Sequence, residues 1–85
     1  MWRSNMTLGQ AFTKRLRDLL KERKISLHKF LKDSCIARST IVNIFEGNTK
    51  CPTLAIIYQV ANGLGMTHIE FLNHPIFFSE EIEYM

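Results

Sequence analysis

Between Thr7 and Asn73 the apolar residues of this chain recur at helical spacing, in five runs separated by short breaks. In the first run Leu8, Phe12, Leu16, Leu19 and Leu20 share one face, Thr7 is placed to cap its start, and a helix is predicted to about Lys24. Ser26 is the next capping residue, and Leu27, Phe30 and Leu31 behind it predict a second helix ending near Asp33. Ile36, Ile41, Ile44 and Phe45 predict a third over about residues 37–46, stopped by Gly47 in the left-handed conformation that glycine favours. Pro52 and Thr53 open a fourth, about Leu54 to Leu64, whose inner stripe reads as Leu54, Ile57, Tyr58, Ala61 and Leu64, with Ile56 almost opposite. Gly63 and Gly65 mark its exit. Thr67 caps a fifth, His68 to about Asn73, expected to bury Ile69, Phe71 and Leu72. Helices two and three are too short to hold themselves in water, so packing against the rest of the chain must fix them. Residues 1–6 read as an N-terminal arm and residues 74–85 as an extension. In that extension Ile76, Phe77, Phe78, Ile82, Tyr84 and Met85 are too apolar for a free tail, and Ser79 before Glu80 and Glu81 is placed to cap a last short helix.

The third helix has two unlike sides. At about 100° per residue Ile41, Ile44 and Phe45 form a back for burial, while Arg38, Ser39, Thr40 and Asn43 form a polar front. Side chains of these types bond to base edges or to phosphates. A helix, a turn of about three or four residues and a second helix with an outward polar front make the helix-turn-helix pattern.

From about Leu8 to Asn73, and most strongly over Arg38 to Leu72, the chain resembles the Xre-type, Cro/repressor-like helix-turn-helix family. The likeness is carried by an ordered series: Arg-Ser-Thr-Ile, then Glu-Gly, then Thr-Lys-x-Pro-Thr-Leu, then Leu-Gly-Met-Thr before Glu-Phe-Leu. It implies an all-α, compact five-helix phage-repressor-like domain over residues 7–73. It implies a sequence-specific double-stranded DNA-binding transcriptional regulator, a repressor or an antitoxin-like autoregulator. Arg38, Ser39 and Asn43 would contact bases in the major groove, and Thr40, Asn48, Thr49 and Lys50 the backbone. Members commonly pair, and the surface expected for a homodimer is Ile56, Ile76, Phe77 and Phe78; the competing account has the tail fold back and complete the monomer core. The chain departs from the family pattern at Leu27, where a phosphate-contacting Gln is common, at Cys35, where Gly is common, and at Ala37, where Ser or Thr is common. A buried charge pair frequent in the family aligns with Leu20 and Phe45, where a hydrophobic contact would replace it. The competing function is a protein-protein interaction module on a helix-turn-helix scaffold with a weakened DNA face, supported by Leu27, Ala37 and the apolar tail.

Charge sharpens this picture. Residues 1–50 hold all eleven Lys and Arg against four acids, a net of +7, whereas residues 51–85 hold four acids and no Lys or Arg, a net of −4. A basic half suits a polyanion. His28, near the start of helix two, could meet a phosphate, and Lys29 and Lys32 share its wet side. Chemistry is thin elsewhere. No nucleophile elbow, glycine-rich phosphate loop or paired metal ligands stand in the sequence, so no enzyme, metal, cofactor or small-molecule substrate is expected. Cys35 and Cys51 flank a helix about 14 Å long, whereas a disulfide needs α-carbons within about 7 Å, so two free thiols are expected. No apolar run reaches the length of a membrane span and the first ten residues carry no secretory core, so a cytoplasmic protein is expected. Eighty-five residues make one domain with a modest core.

Overall fold

The Thr7 hydroxyl accepts from the Gln10 amide at 3.1 Å, and the Gln10 side chain accepts from the Thr7 amide at 2.9 Å. This reciprocal cap starts α1, Leu8–Arg23. The same device, Thr67 with Glu70, starts α5, His68–Leu72. Ser26 and Thr53 cap α2, Leu27–Ser34, and α4, Leu54–Gly63, by single hydroxyl bonds. Only α3, Arg38–Phe45, begins on a residue with no side-chain cap, Ala37. The computed structural model describes residues 6–48, 51–77 and 82–83. Within them lie these five helices, a short 3-10 turn Pro75–Phe77, and two-residue strands β1, Met6–Thr7, and β2, Ile82–Glu83.

The core is drawn from every helix. Phe12, Leu16, Leu19 and Leu20 of α1 meet Phe30 and Leu31 of α2, Ile41 and Ile44 of α3, Ile57 and Val60 of α4 and Phe71 of α5. No polar or charged residue is buried among the described residues. Ala11 joins the core at 0% exposure, and Leu8, expected there, is half-buried.

Two stripes differ from expectation. In α4 the buried face is Ile57, Val60 and Ala61, continued by Leu64. Leu54 and Tyr58 lie outside it at 60% and 49% exposed, while Val60 is at 0%. Helix α4 packs on both α2 and α5, and Ile56 is half-buried against the core instead of standing opposite it. In α5 Ile69 is 67% exposed, because a five-residue helix presents one narrow face and Phe71 occupies it.

Basic residues of α1 serve the C-terminal half of the chain. The Arg15 guanidinium donates to the Phe71 carbonyl at 2.9 Å and to the Glu70 carbonyl at 3.2 Å, and Arg23 donates to the Leu64 carbonyl. Each places positive charge at the carbonyl end of a helix, Arg15 at α5 and Arg23 at α4. The ends of the chain are also joined. Met6 pairs with Ile82 and Thr7 with Glu83 in a parallel ladder. Met6 is therefore paired, not part of a separate arm, and Ile82 and Glu83 are extended where a short helix was expected. Ser79, its expected cap, and residues 1–5 lie outside the described residues. Pro75–Phe77 instead turns the chain so that the Phe77 ring stands 6.1 Å from that of Phe71.

Candidate nucleic-acid interface

The turn between α2 and α3 is set by its backbone. Cys35 ends α2 at φ 57°, and its amide and that of Ile36 both donate to the Leu31 carbonyl. Ile36 is buried and pins the turn to the core. A left-handed non-glycine residue carries a cost of roughly 1–2 kcal/mol, the cost glycine would avoid here. Ala37 then leads into α3 without a capping side chain.

Helix α3 sits on its apolar back. Ile41 and Ile44 are buried and Phe45 packs partly on the core, while Arg38, Ser39 and Asn43 are exposed together. Thr40 lies at the flank, half-buried. Gly47, at φ 83°, ends the helix as expected and lets the chain turn. Asn48 is tied back by its amide, which donates to the Asn43 carbonyl at 2.9 Å, and its side chain lies 3.5 Å from the Asn43 carboxamide oxygen. Thr49 and Lys50 lie outside the described residues.

The end of α3 packs toward α1. Leu20 is buried and Phe45 joins the same cluster, and the Arg17 guanidinium stands 4.8 Å from the Phe45 ring centroid. Such a cation–ring contact contributes about 0.5–1 kcal/mol at an exposed site. It holds the last residue of α3 to α1. The Arg17 contact could have been suspected from an arginine one turn before Leu20. The bonds of Arg15 and Arg23 have no signal in the sequence.

The expected pairing surface is partly consumed. Ile56 and Phe77 pack partly on their own core, Ile76 is half-buried, and Phe78 lies outside the described residues. Among the described residues the large apolar side chains left exposed are Leu54, Tyr58 and Ile69, all on α4 and α5.

Lys14 pairs with Asp18 and Lys29 with Asp33 along their own helices, at 3.3 and 3.2 Å. Lys21, Lys24 and Lys32 are exposed. His68 stacks on Tyr58 at 4.2 Å, and the His74 Nδ1 accepts from the Ile76 amide at 3.1 Å. Among the described residues no group of three His, Cys, Asp or Glu could hold a metal, and no helix is long and apolar enough to cross a membrane. Cys35 and Cys51 are free and exposed.

A helix-turn-helix family model matches residues 16–72. The crystal structure of the prophage Lp1 protein 11 superimposes at a TM-score of 0.78, over 87% of this chain and 97% of that one, with 24% identity; the likeness is one of fold. No curated protein sequence matches the chain.

Proposed function

Because this chain belongs to the Xre/Cro-like helix-turn-helix family of DNA-binding domains, we propose that it is a sequence-specific double-stranded DNA-binding transcriptional regulator, acting as a repressor. The observation that carries the reading is the division of α3. Its back is sealed into the core by Ile41 and Ile44, and the side chains with hydrogen-bonding chemistry, Arg38, Ser39 and Asn43, stand together in solvent. In this mode α3 enters the major groove and its front reads base edges, Asn suiting adenine and Arg suiting guanine. Thr40, Asn48, Thr49 and Lys50 hold the sugar-phosphate backbone. The role needs no catalysis, metal or cofactor.

Selection from random duplexes gives the site, and binding measured across a salt series gives the contacts. Arg38→Ala and Asn43→Ala should each cost about 1–3 kcal/mol on the selected site and relax preference at one base position. Lys50→Ala should weaken all sequences alike. Log affinity should fall linearly with log salt, by about 0.9 for each phosphate neutralised. Unchanged specificity after both α3 substitutions, with the fold intact, would move base reading elsewhere.

A single short helix reads few base pairs, so the proposal includes a two-fold homodimer reading half-sites about one helical turn apart. Ile56, Ile76, Phe77 and Phe78 belong to its surface, and Leu54, Tyr58 and Ile69 extend it across α4 and α5. No Lys or Arg follows Lys50 to solvate that region. Light scattering on the full chain at high concentration should give twice the chain mass. A monomer there ends the dimer proposal and leaves DNA binding standing.

A further inference from the structure

We propose that Asn48 is a positioning residue for base reading, its side chain holding the Asn43 carboxamide in the orientation that fits an adenine. This rests on the DNA-binding reading above and adds a second task to Asn48 beside its backbone contact. Asn43 is exposed on the front of α3, and nothing in the helix itself fixes the end of its side chain. The terminal torsion of an asparagine is broad and roughly two-fold. Its two ends are alike in size and opposite in hydrogen-bonding sense, so a half turn of the group exchanges acceptor for donor. That exchange changes which base edge the residue fits.

Asn48 removes this freedom. Gly47, at φ 83°, turns the chain after α3, and the Asn48 amide donates to the Asn43 carbonyl at 2.9 Å. This main-chain bond brings Asn48 beside Asn43 whatever the two side chains do. Asn48 Nδ2 then lies 3.5 Å from Asn43 Oδ1 and donates to it. Turning the Asn43 carboxamide round would set two amide nitrogens, both donors, against each other. The hydrogen-bonding capacity of the pair also closes. A carboxamide oxygen accepts two bonds and its nitrogen donates two. Asn48 occupies one lone pair of Asn43 Oδ1, which leaves one for the N6 amino group of adenine and an N–H for its N7. The second N–H of Asn48 is left for a phosphate oxygen. The 3.5 Å separation is at the long limit for such a bond. On DNA the bonds run in one direction from Asn48 through Asn43 to adenine N7, and bonds in such a chain polarise and strengthen one another.

Affinity of the full chain is measured on its selected duplex and on the three duplexes altered at the position where Asn43→Ala relaxes preference. The base preferred there should be adenine. Asn48→Ala should reduce that preference by about fivefold, the lower end of what a bidentate contact discriminates, and leave every other position as it was. In the Asn43→Ala background the same substitution should change the preference at that position by less than about 1.5-fold, because no carboxamide remains to be held. Both residues are exposed, so thermal melts of the variants should match the parent. A loss from Asn48→Ala that is equal on all four duplexes marks a backbone contact only and overturns the positioning role, while DNA binding stands. A preferred base other than adenine, or an Asn48→Ala effect on preference that persists without the Asn43 carboxamide, overturns it too. If Asn43→Ala relaxes no position, base reading by Asn43 falls and the role of Asn48 with it. If the unaltered chain binds no duplex at low salt, the DNA reading itself falls.

Discussion

Phe71→Ala should lower the free energy of unfolding by about 3–5 kcal/mol, the range for a large aromatic removed from a closed core. Small domains hold only about 5–15 kcal/mol in all, so the loss is a large share of what this chain has. Phe71 is at 0% exposure, and its ring stands 5.6 Å from Phe12, 6.1 Å from Phe77 and 5.9 Å from the Arg15 guanidinium carbon. One side chain thus joins α1, α5 and the Pro75–Phe77 turn. Its removal opens a void that three elements share, and no neighbour can collapse into it without leaving another gap. Arg15→Ala is the informative comparison. It deletes the two bonds to α5 carbonyls but keeps the ring, and should cost about 1–2 kcal/mol. Urea melts followed by circular dichroism separate the two. A Phe71→Ala midpoint close to that of Arg15→Ala would mean that the aromatic cluster is not the centre of the core.

Gly63→Val should cost about 3 kcal/mol, at the upper end of overpacking penalties, and Gly63→Ala should also destabilise. The sign of the alanine result is what matters. Gly63 is the last residue of α4, and helix propensity alone favours alanine there, by less than the roughly 1 kcal/mol of a helix interior. The packing predicts the opposite. A β-carbon on Gly63 would overlap the Ser34 hydroxyl and lie 3.0 Å from the Ser34 β-carbon and 3.1 Å from the edge of the Phe30 ring. The hydroxyl can rotate away, but the Ser34 β-carbon and the Phe30 ring are fixed by α2, so α2 and α4 must separate. In a Ser34→Gly background the penalty of Gly63→Ala should shrink, because the two sites act through one contact. A Gly63→Ala chain more stable than its parent would refute close packing between α2 and α4.

Legibility followed the contrast between neighbours along the chain. The helices of the motif, the Ser26 cap of α2 and the two-sided character of α3 could be read because polar and apolar residues alternate there at a clear period. The left-handed residue at Cys35 was signalled only by the family resemblance, in which glycine is common at that place. The face of α4 was not. Leu54, Ala55, Ile56, Ile57, Tyr58, Val60 and Ala61 leave almost no polar residue to mark the outside. Docking against α2 and α5 chose the face, covering Val60 and exposing Leu54 and Tyr58. Ile69 was misjudged because five residues are too few for a period. The role of Gly63 was hidden for a different cause. Its neighbour Ser34 is far off in sequence, and a glycine near a helix end reads first as a terminator. At the site, the exposure of Arg38, Ser39 and Asn43 followed from the period of α3, whereas the return of Asn48 onto Asn43 depends on how the chain turns at Gly47.

The ladder between Met6–Thr7 and Ile82–Glu83 bears on the order of folding. It joins residues from opposite ends of the chain, so closing it requires the longest loop in the molecule, and loop closure grows dearer with length. Helical turns and the short connections between them form far sooner. The ladder is therefore the final step of folding and the first contact to open. Its opening need not spread inward. Thr7 caps α1 through Gln10, a partner three residues away, and that bond survives when Glu83 departs. The two ends of the chain can part and rejoin many times within the lifetime of one folded core.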